Sequence, residues 1–178
     1  MVEEVVLVNQ EDEAVGRMEK LAVHRAGLLH RAFSIFVFHS DGRLLLQRRA
    51  SVKYHSGGLW TNTCCGHPRP GESTSGAAER RLWEEMRIDT ALSERFSFTY
   101  RAHLDNDLVE HELDHVFFAT HDHGADPDTD EADAWRYVHP LDVDIELSTH
   151  PERYTTWFKL CWSEVKQHLS MPEPRLQH

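Results

Sequence analysis

The sequence predicts a mixed α/β or α+β domain, on three observations: short β-rich runs recur along the chain, a charged helical segment divides them, and a long amphipathic run follows the last of them. At 178 residues and 20.7 kDa the chain is long enough for one compact domain with a real core and too short for two comfortable ones. Hydrophobic residues make up 40%, which argues against a disordered or membrane-like composition. No apolar run approaches the roughly 18 residues of a membrane helix. The N-terminal MVEEVVLVNQEDE is acidic where a secretory signal would be basic, so a soluble, cytoplasmic protein is expected.

In chain order, Val5 to Asn9 and Val15 to Glu19 read as two short strands joined by the acidic turn Glu11-Asp12-Glu13. The run AFSIFVF (Ala32 to Phe38), the turn Ser40-Asp41-Gly42 and then RLLLQRR carry a hairpin signal. A loop rich in Gly, Pro, Ser and His follows, ASVKYHSGGLWTNTCCGHPRPGES, and a loop that long in a small domain is a functional candidate. Thr74 to Met86 is predicted helical, with Ser73 or Thr74 as N-cap and Ala77, Ala78, Leu82 and Met86 on its apolar face. Strands are expected over Phe96 to His103, Val109 to Thr120 and Trp135 to Val138. The run ERYTTWFKLCWSEVKQHL reads as an amphipathic helix, since Tyr154, Trp157, Phe158, Cys161, Val165 and Leu169 recur at three- and four-residue steps. A single domain over residues 1–170 is expected, with 171–178 a frayed, disordered tail.

The formal net charge of -11 argues against nucleic acid and anionic membranes as partners. An anionic ligand would have to be held by metal ions and a few placed Lys and Arg side chains. Three cysteines, two of them adjacent, do not make a disulfide framework and suggest free thiols. Of the 14 histidines, His121, His123, His139 and His150 sit in polar stretches and are expected to be solvated.

The most informative stretch is GHPRPGESTSGAAERRLWEEMRI, from Gly66 to Ile88. Arg81 and Glu85 lie four residues apart and share a helix face near the preceding loop, where a carboxylate is placed to hold Mg²⁺ beside a diphosphate. Taken alone, the run reads as a charged surface helix. Its spacing resembles the Nudix box, G-x5-E-x7-R-E-U-x-E-E-x-G-U, with Gly66, Glu72, Arg80, Leu82, Glu84, Glu85 and Ile88 in place. Two positions depart: Arg81 stands where the box has a Glu, and Arg87 where it has Gly. The resemblance implies a Nudix fold, a mixed β-sheet sandwiched between helices. In Nudix hydrolases the missing carboxylate binds the metal that activates water, so Arg81 suits gripping a diphosphate better than cleaving it.

With MEKLAVH, LLHRAFS, LLLQRRA, GLWTNTCCGHPRPGES and VEHELDHVF around the box, the chain resembles the type 1 isopentenyl-diphosphate isomerases, whose box carries Arg in that same place. The resemblance covers roughly residues 5 to 165. It implies interconversion of isopentenyl and dimethylallyl diphosphate in isoprenoid biosynthesis, with a small-molecule isoprenoid diphosphate as partner; a pyrophosphohydrolase acting on nucleoside diphosphate derivatives is the alternative.

By that resemblance, His24, His30, His67, Glu110 and Glu112 would hold Mn²⁺, Mg²⁺ or Zn²⁺. Glu85 and the backbone carbonyl of Cys65 would hold a Mg²⁺ on the substrate diphosphate. Lys20, Arg49, Lys53 and Arg81 match the diphosphate-contacting positions, and Cys65, Glu112, Tyr100 and Trp157 the catalytic ones. Trp60 is a candidate for shaping the pocket, and Cys64 is given no role.

The residues themselves bear on this set. Glu110 and Glu112 are i and i+2 on a strand and project from one face roughly 6.5 to 7 Å apart, an arrangement that wants a cation or solvent between them. The bland reading is a solvent-facing stripe of Glu110, Glu112 and Asp114. Cys65, near metal and cations, is expected to have a lowered thiol pKa; its bland reading is a small buried hydrophobe. A monomer is expected.

Overall fold

The computed structural model describes residues 3–170, so the tail at 171–178 lies outside the described residues. Nine strands build one mixed sheet: β1 (Glu4–Val8), β2 (Ala14–Glu19), β3 (His30–Phe38), β4 (Leu44–Arg49), β5 (Trp60–Thr61), β6 (Cys64–Gly66), β7 (Ser93–His103), β8 (Val109–Thr120) and β9 (Ala132–Val138). Four α-helices accompany them: α1 (Lys20–Ala26), α2 (Thr74–Met86), α3 (Pro140–Thr149) and α4 (Thr156–Leu169). No helix among the described residues is long and apolar enough to cross a membrane.

The organising strand is β3. One edge pairs in parallel with β8 throughout, from His30 opposite Glu112 to Phe38 opposite Thr120. The other edge is divided among β1 at its start, β6 in its middle and β4 at its end. The hairpin expected from AFSIFVF and RLLLQRR forms at its turn, with β3 antiparallel to β4 at Phe38 and Leu44 and the His39 N–H donating to the Arg43 carbonyl, but its ladder is short, and β4 pairs along its length with β9. The reason is burial. All but one of the residues of β3 are buried, so it lies in the centre of the sheet with both faces covered, whereas an isolated hairpin would leave one face to solvent.

Where β3 and β4 diverge, Thr63 fills the gap. Its hydroxyl accepts from the Val37 N–H at 2.9 Å and donates to the Leu45 carbonyl at 2.6 Å, and its own N–H donates to the Ile35 carbonyl. Side-chain oxygen thus replaces the missing ladder bonds of a buried segment. This also corrects the long loop: residues 60–66 hold two short strands inside it.

Strand alternation sends Phe33, Ile35 and Val37 to one face and Ser34, Phe36 and Phe38 to the other. The first face packs on Ala77, Ala78, Leu82 and Met86 of α2. The second packs on Trp157, Phe158, Cys161, Trp162 and Val165 of α4. At roughly 1.5–3 kcal/mol for each large apolar side chain removed from water, these two layers carry the fold. Ser73 caps α2, its hydroxyl accepting from the Gly76 N–H at 3.1 Å. The helix ends at Arg87 in the left-handed conformation, φ 55°, at the very position where the box has Gly.

Two helices were not foreseen. Glu19 caps α1 by accepting from the N–H groups of Leu21 and Ala22, and Gly27 ends it at φ 64°. In α3 only Val143 is buried, so its apolar pattern was too weak to read. Strands β7 and β9 each begin three residues before the expected start. His123, His139 and His150 are exposed as expected, and His121 is half-buried.

Candidate active site

The sheet delivers the site residues to one end of the β3–β8 pair. His30 opens β3 directly opposite Glu112 of β8, and Ser34 sits opposite Cys65 of β6. Adjacent cysteines on a strand point to opposite faces. Cys64 accordingly enters the α2 core layer while Cys65 packs against the α4 layer, and both are free thiols. Gly66 is required by crowding: a Cβ there would lie 2.8 Å from Phe33 Cζ and 3.3 Å from Arg81 Cγ, so glycine lets the arginine stem pass.

One cavity of about 250 Å³ is lined by Cys65, His67, Tyr100, Glu110, Glu112 and Trp157, and also by Lys20, Arg49, Lys53, Arg81 and Glu85. That volume falls below the roughly 300–1,000 Å³ of drug-sized pockets and suits a small ligand. The cavity also takes in Glu3, Ser34, Tyr54, His55 and Glu131, which were not singled out from the sequence. Trp60 is not among the lining residues. Its ring instead lies under Arg136, 4.3 Å to the centroid, with Arg48 at 5.8 Å, which corrects the pocket-shaping expectation.

The buried end is an imidazole–carboxylate cluster. His24 Nδ1 lies 2.7 Å from the Lys20 carbonyl and His30 Nδ1 2.9 Å from the Leu28 carbonyl. A carbonyl only accepts, so each Nδ1 carries the hydrogen and each Nε2 presents its lone pair inward. His67 Nε2 is 2.9 Å and His30 Nε2 3.4 Å from Glu112 Oε1, and His24 Nε2 is 3.3 Å from Glu110 Oε2. The Tyr100 hydroxyl donates to the other Glu112 oxygen at 2.7 Å.

Despite this proximity, His24 Nε2, His30 Nε2, His67 Nδ1 and Glu110 Oε2 are buried without a hydrogen-bond partner. Ligand atoms of His24, His30, His67 and Glu112 all lie within 4.8 Å of one another. Glu110 stands beside that group of four rather than in it. The inward, unpartnered Nε2 atoms of His24 and His30, grouped with His67 and Glu112, fit a divalent ion.

The electrostatics of the protein groups point the same way. Burial, reinforced by Glu112, raises the Glu110 carboxyl to about 7. Burial pulls on Glu112 too, but the contacts from His30 and His67 prevail and hold it well below the carboxylate range. Burial lowers His67 to about 4. Among the protein groups alone, burial, with Asp114 nearby, pushes the Cys65 thiol up to about 12. The surroundings explain this. Its sulfur lies 3.1 Å from Asn62 Nδ2, 3.2 Å from Asn62 Oδ1 and 3.7 Å from Ser34 Oγ, while the Ser34 hydroxyl donates to Asp114 at 2.7 Å.

The cationic end is internally paired. Lys20 meets Glu3 at 3.2 Å, and Lys53 meets Glu131. Arg81 spans Glu84 at 2.9 Å, Glu131 at 3.2 Å and Glu85. Arg49 lies over the Trp157 ring, 5.3 Å to its centroid, with its Nε buried and unpartnered. Glu85 is itself buried, receiving Gln47 Nε2 at 3.3 Å.

Residues 28–160 match the model of the NUDIX domain family. The chain is 50% identical over 165 residues to "Isopentenyl-diphosphate Delta-isomerase 2" of Aromatoleum aromaticum, covering 93% of this chain and 87% of that one. It is 51% identical over 158 residues to "Isopentenyl-diphosphate Delta-isomerase" of Serratia proteamaculans, covering 89% and 88%. Among solved structures, a Deinococcus radiodurans protein superposes with a TM-score of 0.77 at 18% identity, covering 95% of this chain and 100% of that one. A Nudix hydrolase of M. smegmatis superposes at 0.59 with 16% identity, covering 97% and 98%. At such identities the structural likeness speaks for the fold alone.

Proposed function

The chain belongs to the Nudix family and, within it, to the isopentenyl-diphosphate Delta-isomerases, and on that premise we propose that its cavity interconverts isopentenyl and dimethylallyl diphosphate. The observation that carries the reading is one cavity with two chemically distinct ends. A thiol and a carboxylate line it at the sheet, and four cationic side chains line it elsewhere.

The reaction adds a proton to the terminal alkene carbon and removes one from the carbon nearer the diphosphate. Simple alkenes are weak bases, so the intermediate resembles a tertiary carbocation, and the site must supply acid and base while excluding water. Cys65 and Glu112 are the two proton-transferring groups in this reading. Tyr100 donates to Glu112 and holds its carboxyl in one orientation. The buried indole of Trp157 offers a π-face to transient positive charge, a cation–π role. Lys20, Arg49, Lys53 and Arg81 hold the diphosphate.

His24, His30, His67 and Glu112, with Glu110 alongside, would hold Mn²⁺, Mg²⁺ or Zn²⁺. Glu85 and the Cys65 carbonyl would hold Mg²⁺ on the diphosphate. Bound there, the ions would neutralise clustered carboxylates and the charge of the diphosphate. A monomeric cytoplasmic enzyme completes the proposal.

The test is direct: incubate the protein with isopentenyl diphosphate, Mg²⁺ and Mn²⁺ in deuterated water and follow the products by NMR. The expected result is dimethylallyl diphosphate carrying deuterium, with no release of phosphate. Release of phosphate from nucleoside diphosphate derivatives without isomerisation would reverse the assignment.

A further inference from the structure

Glu131 has no part in the reading above, yet it lines the same cavity. It sits in the turn before β9, and that turn is fixed. Its N–H donates to the Asp128 carbonyl at 2.9 Å, and its carbonyl accepts from the Ala50 N–H at 2.9 Å, one residue after Arg49. From this anchored position its carboxylate bridges two cations, with Oε2 on Lys53 Nζ and Oε1 3.2 Å from Arg81 Nη2. Burial opposes the charge of Glu131, but Lys53 and Arg81 prevail and hold its carboxyl below the ordinary range.

At the cationic end of the cavity Lys20, Arg49, Lys53 and Arg81 meet Glu3, Glu85 and Glu131 of the lining, and Glu84 through Arg81, while Glu110 and Glu112 line the imidazole end. Four formal positive charges meet four negative ones there, leaving no surplus for a diphosphate ester that brings about three negative ones near neutral pH. A divalent ion arriving with the diphosphate closes most of that gap. We propose that Glu131 makes diphosphate binding conditional on a divalent ion: it competes with the diphosphate for Lys53 and Arg81, so a bare diphosphate binds poorly and one carrying Mg²⁺ binds well. The proposal rests on the reading of the cavity as a diphosphate site and is independent of the isomerisation chemistry. It makes Glu131 a residue that sets ligand specificity by charge rather than one that touches the reacting carbons.

The experiment is calorimetric titration of inorganic pyrophosphate into the full chain, first loaded with Mn²⁺ and desalted, without and with excess Mg²⁺. For the unaltered protein, Mg²⁺ is expected to tighten binding by about tenfold or more. Glu131→Gln is expected to narrow that ratio by about fivefold, chiefly by tightening the Mg²⁺-free limb, as removal of one adjacent like charge should do. Glu79→Gln, an exposed change on α2 of the same net charge, should leave the ratio unchanged. A ratio unmoved by Glu131→Gln, or narrowed equally by Glu79→Gln, overturns the proposal. Should Glu131→Gln not fold, Lys53→Gln decides: with its partner gone, the Glu131 charge should weaken the Mg²⁺-free limb more than the Mg²⁺ limb, and equal weakening contradicts the proposal. If no protein binds pyrophosphate under either condition, the diphosphate reading itself fails and takes the proposal with it.

Discussion

Two clusters in this molecule use similar ingredients, carboxylates beside basic side chains, and reach opposite electrostatic conditions. In the cluster on α1, β3, β8 and the segment after β6, His24, His30, His67, Glu110 and Glu112 are buried or nearly so, and several of their polar atoms have no partner. In the cluster on α2, Arg80 meets Glu72 through Nε and Nη2 and Glu84 through Nη1, while Arg81 reaches Glu84, Glu85 and Glu131. The first has acceptors left over and wants an external cation. The second compensates itself, so what it has left to offer is a guanidinium for an anion. Arg81, standing where the box has a carboxylate, is the residue that ties Glu84, Glu85 and Glu131 together, and in the proposed reading it turns this end of the cavity towards a phosphate.

The contrast is broken most severely at Glu112, which belongs both to the imidazole cluster and to the proposed chemistry. Glu112→Gln keeps the shape but loses the charge facing His30 and His67. Turnover is expected to fall by about a thousandfold or more, measured as the rate of isomerisation. Near-normal turnover would mean that the carboxylate is only a packing element.

The matching change in the other cluster is milder. Arg81→Gln removes one of four cations and should raise KM about tenfold with a smaller effect on kcat. An unchanged KM would show that Arg81 serves only its neighbouring carboxylates.

The smallest effect is expected at the outer end of α2. Arg80 beside Glu72 holds the Glu72 carboxyl below its ordinary value. A depressed folded-state pKa contributes stability that is present above the unfolded value and lost as pH falls through the folded one. Because the half-buried Glu72 pairs with Arg80 at the protein surface, Glu72→Gln should cost about 1 kcal/mol at pH 7 and nothing measurable at pH 2, read from denaturant unfolding at both. A cost that persists in acid would point to packing rather than charge.

Much of this was legible in the chain because it is local. The N-cap at Ser73, the apolar face of α2 and the full span of β8 follow from spacing alone. The resemblance supplied a set of residues, and the fold brings His24, His30, His67 and Glu112 together from α1, β3, the segment after β6 and β8. What could not be read depends on long-range packing. Besides its short turn with β4, β3 pairs along its length with β8, some eighty residues away, and no local pattern announces that partner. The short α1 was hidden because its cap, Glu19, ends a strand. The immediate surroundings of the Cys65 thiol were not legible either: its sulfur is set against Asn62 and Ser34, which only the pairing of β6 with β3 brings there. Glu131 lies in an acidic loop where nothing local marks it off from Asp128 or Asp130; only the fold sets it against Lys53 and Arg81.

The central claim, that the imidazole–carboxylate cluster holds a resident metal ion of its own while the α2 carboxylates hold one only together with a diphosphate, is tested most directly by stripping the protein with a chelator and restoring Mn²⁺ in steps with Mg²⁺ in excess. Bound Mn²⁺ and isomerase rate would be followed in the same samples. The account predicts that activity is lost on stripping and returns in proportion to one tightly held Mn²⁺, and that His24→Ala removes that ion while Glu72→Gln does not. Full activity in stripped protein, or a tightly held Mn²⁺ that survives His24→Ala and disappears with Glu72→Gln, would contradict it.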